Sequence, residues 1–415
     1  MTDDRCDRVR DERPIVIAGA GLAGLRTAEE LRAAGYEGGL VLVGDEFRLP
    51  YDRPPLSKQF VRGEIDDTTL RPSEFFTEHD IRLRLDAAAT AVDTVTRRVR
   101  LADGSELDYS QLVIATGLRP RRIATIDGIP GVHVLRSHND AVAVRARLAA
   151  AERALIVGAG FIGCELAASL RSRGMGVVVV EPAPTPLAAA LGPWVGELVA
   201  RLHRAEGVEL HCGVGVDAVI TEGGAVRGAR LTDGSRVQAD LVVVGIGSVP
   251  ATGWLEGSGV PLAESGAGGG VLADEVGRTA VDGVWAVGDV AAWWHPHRGH
   301  RRVEHWTNAG EQARILARAL LGVESSAAAE VPYVWSDQYG LRIQVLGTPT
   351  AADTVRIVED DGRRFLAHYL ADGVLTAVVG AGMAGKVMKA RARLVQSAAL
   401  VKVSGDPGIP TSTRA

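Results

Sequence analysis

One local pattern, present twice, restricts this chain more than any other feature. A short apolar run, Pro14–Ala18, leads into Gly19-Ala20-Gly21-Leu22-Ala23-Gly24 and then into a segment with helical spacing that ends near Gly35. A second run, Ala154–Val157, leads into Gly158-Ala159-Gly160-Phe161-Ile162-Gly163 and a helical segment over Cys164–Arg173. Strand, glycine turn and helix in that order let backbone N–H groups at a helix N-terminus approach a pyrophosphate, because absent side chains remove the steric block and the helix dipole favours the anion. Each copy continues into another apolar strand, Leu40–Val43 and Val177–Val180, and then an acid, Asp45 or Glu181, placed for a ribose 2′-hydroxyl.

The repetition extends further. Leu101-Ala102-Asp103-Gly104-Ser105 precedes Leu112-Val113-Ile114-Ala115-Thr116-Gly117, and Leu231-Thr232-Asp233-Gly234-Ser235 precedes the run from Leu241 to Gly247. Each Asp-Gly reads as a hairpin turn and each following run as a buried strand. The chain is therefore expected to be α/β, with two Rossmann-like dinucleotide-binding domains. From about Val331 alternating strands are expected over Leu341–Leu346, Thr354–Val358, Phe365–Tyr369 and Leu375–Val379, giving a small α+β C-terminal domain, with a frayed tail from Ser404.

Composition narrows function. With 46 Lys and Arg against 51 Asp and Glu the net charge is −5, so no global field draws nucleic acid or an anionic membrane. The N-terminus is too charged for a secretory signal and no apolar run is long enough for a span, so a cytoplasmic location is expected. Three cysteines, Cys6, Cys164 and Cys212, stand far apart, and the ten histidines show no ligand pairing, so neither a dithiol centre nor a metal site is expected. Ser57 has no nucleophile-elbow context. Glu181 repels a 2′-phosphate and so favours NADH over NADPH. Two dinucleotide sites in one chain imply electron transfer between two cofactors, and a nicotinamide then needs a tightly held partner such as a flavin.

Other runs carry a resemblance. Pro50-Tyr51-Asp52-Arg53-Pro54-Pro55-Leu56-Ser57-Lys58, the Ala115-Thr116-Gly117 strand end, Ala286-Val287-Gly288-Asp289, Glu304-His305-Trp306-Thr307-Asn308-Ala309 and Trp335-Ser336-Asp337-Gln338-Tyr339 together resemble the FAD-dependent ferredoxin reductases of bacterial oxygenase systems. The likeness runs from Pro14 to Gly347, and the Pro-Pro-Leu-Ser-Lys and Trp-Ser-Asp-Gln runs are specific to it. It implies a glutathione-reductase-like architecture: an FAD domain in two segments, 1–117 and 250–328, an inserted NAD domain, 118–249, and a C-terminal interface domain, 329–415. By position it implies that Gly19, Gly21, Leu22, Ala23, Gly24, Asp45, Ala89, Ala115, Thr116, Gly117, Gly288 and Asp289 hold FAD, with Arg53, Lys58, Arg136 and Trp306 as further flavin contacts. Gly158, Gly160, Phe161, Ile162, Gly163, Glu165, Glu181 and Gly247 would then hold NADH. Lys58 would lie near flavin N5 and pair with Glu165; these two and Trp335 are the candidate catalytic residues. An ammonium there stabilises an anionic reduced flavin.

The activity so implied is transfer of electrons from NADH through FAD to a 2Fe-2S ferredoxin that serves a monooxygenase or dioxygenase. The ferredoxin is expected to be acidic and to dock near Arg298, Arg301, Arg302 and Arg314, or near Lys386, Lys389, Arg391 and Arg393. Reduction of rubredoxin, a quinone or oxygen, and slow-turnover NADH sensing, are the alternatives, and both monomer and homodimer stay open. The run Gly380-Ala381-Gly382-Met383-Ala384-Gly385-Lys386 departs from the family pattern, which often has Asn-x-Pro-x-Glu there.

Overall fold

The computed structural model describes residues 12–296, 299–323 and 331–396. They gather into two compact units. Among the described residues the first contains the chain up to Asp52, Thr68–Arg119 and the stretch from Val249 through the helix Trp306–Leu320. Its centre is a five-stranded parallel sheet in the spatial order Ile81–Arg84, Leu40–Val43, Ile15–Ala18, Gln111–Ile114, Val284–Ala286. The three central strands are buried along nearly their whole length, which is why they read as unbroken apolar runs. The helix Leu22–Ala33 starts at Gly21, buries Leu25, Ala28 and Leu31, and packs beside Trp306–Leu320. Full burial of each such leucine stabilises the unit by about 1.5–3 kcal/mol. The expected Asp-Gly hairpin joins Arg98–Leu101 to Glu106–Asp108, with Ala89–Asp93 as a third antiparallel strand.

The second unit contains Arg53–Asp67, Pro120–Ser248 and the stretch from Val331 onward. Its parallel sheet runs Glu209–Cys212, Gly176–Glu181, Arg153–Val157, Leu241–Val244, Val132–Val134, with the helix Phe161–Ser172 behind the glycine turn. The second Asp-Gly hairpin likewise closes a three-stranded antiparallel sheet, Val216–Glu222, Ala225–Leu231 and Arg236–Gln238. The C-terminal stretch forms a five-stranded antiparallel sheet in the order Tyr333–Gln338, Leu341–Gly347, Val374–Ala381, Phe365–Ala371, Thr354–Asp360, followed by the short helix Ala384–Lys389. Four of these strands match the sequence expectation. The first, Tyr333–Gln338, was legible only as a motif. The tail from Ser404 lies outside the described residues.

One segment sits differently from its place in the sequence. A boundary at residue 117 assigns residues 53–67 to the first domain, yet they pack on the second glycine helix, with Val61 in the same apolar core as Leu166 and Leu170. Burial of Leu56, Phe60 and Val61 drives this placement.

Candidate functional site

The two glycine turns show the same division of labour. Gly19 has φ +126°, and a Cβ there would stand 2.1 Å from the carbonyl oxygen of Ala115; a Cβ on Gly24 would stand 1.9 Å from the oxygen of Gly19. In the second copy Gly158 has φ +102° with the oxygen of Gly245 at 2.4 Å, and Gly163 meets the oxygen of Gly158 at 2.1 Å. These four glycines are demanded by the protein's own packing. The middle ones, Gly21 and Gly160, are not: their backbones are extended, with φ of −85° and −72°, and a Cβ at either would meet nothing within 4 Å. Glycine there keeps open the space in front of a helix N-terminus, where a pyrophosphate needs close backbone approach.

The close approach of Gly19 also brings Ala115, Thr116 and Gly117 to the first turn, with the Thr116 hydroxyl donating to the Ala251 carbonyl at 2.8 Å. Gly288, at φ +76°, comes so near Leu22–Ala33 that an added Cβ would stand 2.6 Å from that of Ala23. Its N–H donates to the buried Gln312 side chain at 2.8 Å. Asp289 is thus set beside the first glycine helix in the same unit.

The acids differ between copies. Glu181 accepts from the N–H of Ala159 at 2.6 Å and of Ala183 at 2.8 Å, so its carboxylate is fixed over the second turn. Strand register makes Gly44, not Asp45, the counterpart of Glu181, because Ala18 pairs with Val43 as Val157 pairs with Val180. A Cβ at Gly44 would stand 2.8 Å from that of Ala20, so the first copy carries its acid one residue later, on the exposed Asp45. Glu46 accepts instead from the Tyr51 hydroxyl at 2.8 Å. Ala89 opens the first strand of the accessory sheet, paired with Leu101.

The second unit holds a buried polar cluster. Pro54-Pro55 precede a wide π-type turn, Leu56–Phe60, in which the N–H of Phe60 reaches the Pro55 carbonyl. That turn buries Ser57 and Lys58 against the second glycine helix. The Lys58 ammonium donates to Glu165 Oε1 at 3.0 Å, the Ser57 hydroxyl to Oε2 at 2.6 Å and the Ser336 hydroxyl to Oε1 at 3.0 Å. Asp337 Oδ2 stands 3.9 Å from Lys58 Nζ. Removing one partner of so buried a pair leaves an uncompensated charge, which costs about 3–5 kcal/mol. Ser57, Ser336 and Gln338 were missed as site residues, although the Pro-Pro-Leu-Ser-Lys and Trp-Ser-Asp-Gln runs contain them. Period-two alternation along Tyr333–Gln338 puts Ser336 and Gln338 on the buried face, so Ser336, not Trp335, reaches Glu165. Trp335 stacks on Tyr333 at 5.8 Å between centroids.

Arg53 donates to the Arg136 carbonyl at 2.8 Å, bringing those two together beside the Ser137 capping box. The Trp306 indole N–H donates to Asp52 at 2.8 Å. Phe161 and Ile162 start the second glycine helix, with Ile162 exposed, and Gly247 has φ +87° at the matching strand end. Arg302 is largely committed to its own unit: its side chain is only 12% exposed, pairs with Glu304 and donates to the carbonyls of Gly268 and Asp289. Arg314 pairs with Glu311, and Lys386 with Glu359. Arg301 is exposed, and Arg298 lies outside the described residues. Burial pushes the thiols of Cys164 and Cys212 up, so neither behaves as a reactive thiolate.

Together the units define an oxidoreductase with two dinucleotide cradles, a buried Lys–Glu pair and no redox dithiol motif in its sequence. The model of the pyridine nucleotide-disulphide oxidoreductases matches residues 13–313, and that of the reductase C-terminal domain matches residues 333–406. The chain is 37% identical to a rhodocoxin reductase from Rhodococcus erythropolis, over 82% of this chain and 79% of that one. It is equally 37% identical to the ferredoxin–NAD(+) reductase component of an anthranilate 1,2-dioxygenase system from Burkholderia cepacia, over 93% and 95%. Among solved structures it resembles the covalent putidaredoxin reductase–putidaredoxin complex, with a TM-score of 0.87, 30% identity and coverage of 96% and 97%. The chain belongs to the pyridine nucleotide-disulphide oxidoreductase family, and its fold is the glutathione-reductase-like one expected from the sequence. No helix among the described residues is long and apolar enough to cross a membrane.

Proposed function

We propose that this protein is an FAD-dependent NADH:ferredoxin reductase that delivers electrons to a 2Fe-2S ferredoxin serving a monooxygenase or dioxygenase. The observation that carries the reading is the pair of middle glycines, Gly21 and Gly160, which no packing or backbone requirement explains and which two dinucleotides do. FAD is assigned to Gly19, Gly21, Leu22, Ala23, Gly24, Asp45, Ala89, Ala115–Gly117, Gly288 and Asp289, with Arg53, Lys58, Arg136 and Trp306 as further contacts. NADH is assigned to Gly158, Gly160, Phe161, Ile162, Gly163, Glu165, Glu181 and Gly247. The domain limits 1–117, 118–249, 250–328 and 329–415, with residues 53–67 packed apart from the rest of the first segment, and a cytoplasmic location belong to the same reading. Bound FAD supplies the step between hydride transfer from NADH and one-electron delivery to a ferredoxin.

The chain's own residues supply the rest. Glu181 selects a free ribose 2′-hydroxyl, since the following run, Pro182-Ala183-Pro184-Thr185-Pro186, carries no cation to accept a phosphate. Lys58, charged and held by Glu165, offers a fixed positive charge to a reduced flavin. Arg301 and Arg314, both exposed, are the cations of the proposed docking face, while Arg302 is largely committed to Glu304 and two carbonyls.

The purified protein is expected to show flavin absorption that bleaches anaerobically with NADH, and denaturation should release FAD. FMN, or no flavin after reconstitution with FAD, would refute the assignment. Lys58→Ala should slow flavin reduction in stopped flow more than it weakens FAD binding, because the charge it stabilises exists only on the reduced ring.

A further inference from the structure

Behind Glu165 the cluster continues away from Lys58 in the second unit as a chain of buried side chains that ends on the half-buried Tyr339. Ser336 Oγ, which donates to Glu165, accepts from Gln338 Nε2 at 3.0 Å. The other end of that amide, Oε1, lies 3.1 Å from His203 Nε2, and His203 Nδ1 lies 2.7 Å from the Tyr339 hydroxyl. An amide oxygen only accepts, so Nε2 carries the imidazole proton; Nδ1 is then bare and accepts a hydrogen bond from the Tyr339 hydroxyl. Every donor in the series therefore points the same way, from Tyr339 through His203, Gln338 and Ser336 to the Glu165 carboxylate.

The placement of His203 argues against simple packing. It stands on the helix Ala188–Ala205 at the next four-residue step after Val195 and Val199, on a stripe that is otherwise apolar and buried. An apolar side chain would fill that position without needing a partner, whereas a buried imidazole requires both of its nitrogens satisfied. Gln338 interrupts any direct passage of protons, because an amide nitrogen cannot hand a proton onward in its ordinary form. What the chain transmits is orientation and the summed dipoles of aligned hydrogen bonds.

We propose that His203 is a positioning residue for the Lys58–Glu165 pair, acting through Gln338 and Ser336 to hold the carboxylate that fixes the Lys58 ammonium. The proposal rests on the reading of Lys58 as the cation serving reduced flavin. Without the His203 donor, Gln338 Oε1 is left buried and unpaired; the amide turns, Ser336 loses its donor, and Glu165 loses a fixed partner.

The test is a double-mutant cycle on the FAD-loaded protein, reading the rate of flavin reduction by NADH, the flavin midpoint potential and the thermal midpoint. His203→Phe and Gln338→Met should each slow reduction about 3- to 10-fold, from one weakened hydrogen bond to a charged group. Each should also move the potential to more negative values and leave the KM for NADH unchanged. His203→Gln, which keeps an N–H donor, should restore most of the rate. On a Lys58→Ala background, His203→Phe should add no further slowing. Equal slowing with and without Lys58, or a lowered thermal midpoint with wild-type rate and potential, overturns the proposal. If Lys58→Ala itself leaves reduction unchanged, it is the reading of Lys58 that fails. Should His203→Phe not fold, Gln338→Met decides alone by the same criteria.

Discussion

At the scale of single residues, the second acid and the buried imidazole give the sharpest expectations. Glu181 is held by two backbone N–H groups at the turn, so its charge cannot swing away from an incoming 2′-phosphate. NADH should exceed NADPH in kcat/KM by roughly 30- to 1,000-fold, equivalent to about 2–4 kcal/mol for a lost hydrogen bond plus repulsion. Glu181→Arg should narrow that ratio, and steady-state kinetics with both cofactors checks it. His203 is depressed by burial from its ordinary value of 6.5 to about 4. Between those values the unfolded chain binds a proton that the folded chain refuses, so stability is complete above pH 6.5 and falls as pH drops toward 4. The loss amounts to about 3 kcal/mol by pH 4. Thermal midpoints measured across that range should fall less steeply in His203→Gln than in the wild type; parallel curves would mean that His203 takes up its proton equally well in both states.

Secondary elements were legible where a single physical rule dominates. Parallel central strands announce themselves as apolar runs, and Asp-Gly hairpins by their turn residues; both copies of each formed, although the strands expected to reach Gly117 and Gly247 end at Ile114 and Val244. What stayed hidden is non-local. The polar residues Ser57, Ser336, Gln338 and His203 come from three separate stretches, and only packing tells that they form one hydrogen-bonded series ending on Glu165. Likewise the offset of the first acid was invisible, because counting from the glycine turn does not reveal strand register. The glycine turns permit a separation of fold from site. Gly158→Ala should cost the fold at least about 1–3 kcal/mol through positive φ and contact with the Gly245 carbonyl. Gly160→Ala should change stability by less than about 0.5 kcal/mol, as for a surface substitution, yet raise the KM for NADH at least tenfold. Urea unfolding and kinetics on both variants distinguish the two roles, and an unaltered KM in Gly160→Ala would remove the argument that this glycine serves a ligand.

For the whole molecule, net charge and docking charge are separate matters. The chain carries −5 overall, so attraction of an acidic ferredoxin depends on local cations. Of the proposed docking cations, Arg302 is engaged with Glu304 and two carbonyls and is largely buried, while Arg301 and Arg314 are both exposed. Ferredoxin-dependent turnover should decline as the Debye length shrinks from about 10 Å to 3 Å, while ferricyanide reduction changes little. Arg301→Glu and Arg314→Glu should each raise the KM for ferredoxin, with the KM for NADH unmoved. Turnover indifferent to salt would point to an apolar docking face.

The offset at Gly44 has one more consequence. FAD and NADH share the same adenosine diphosphate half, so a chain that binds both has to keep each out of the other's seat. A side chain at position 44 collides with Ala20, which prevents the first cradle from ever growing the carboxylate that marks the second. Two copies of one nucleotide fold thus differ in where each can place its acid, and a close contact at a single glycine sets that difference.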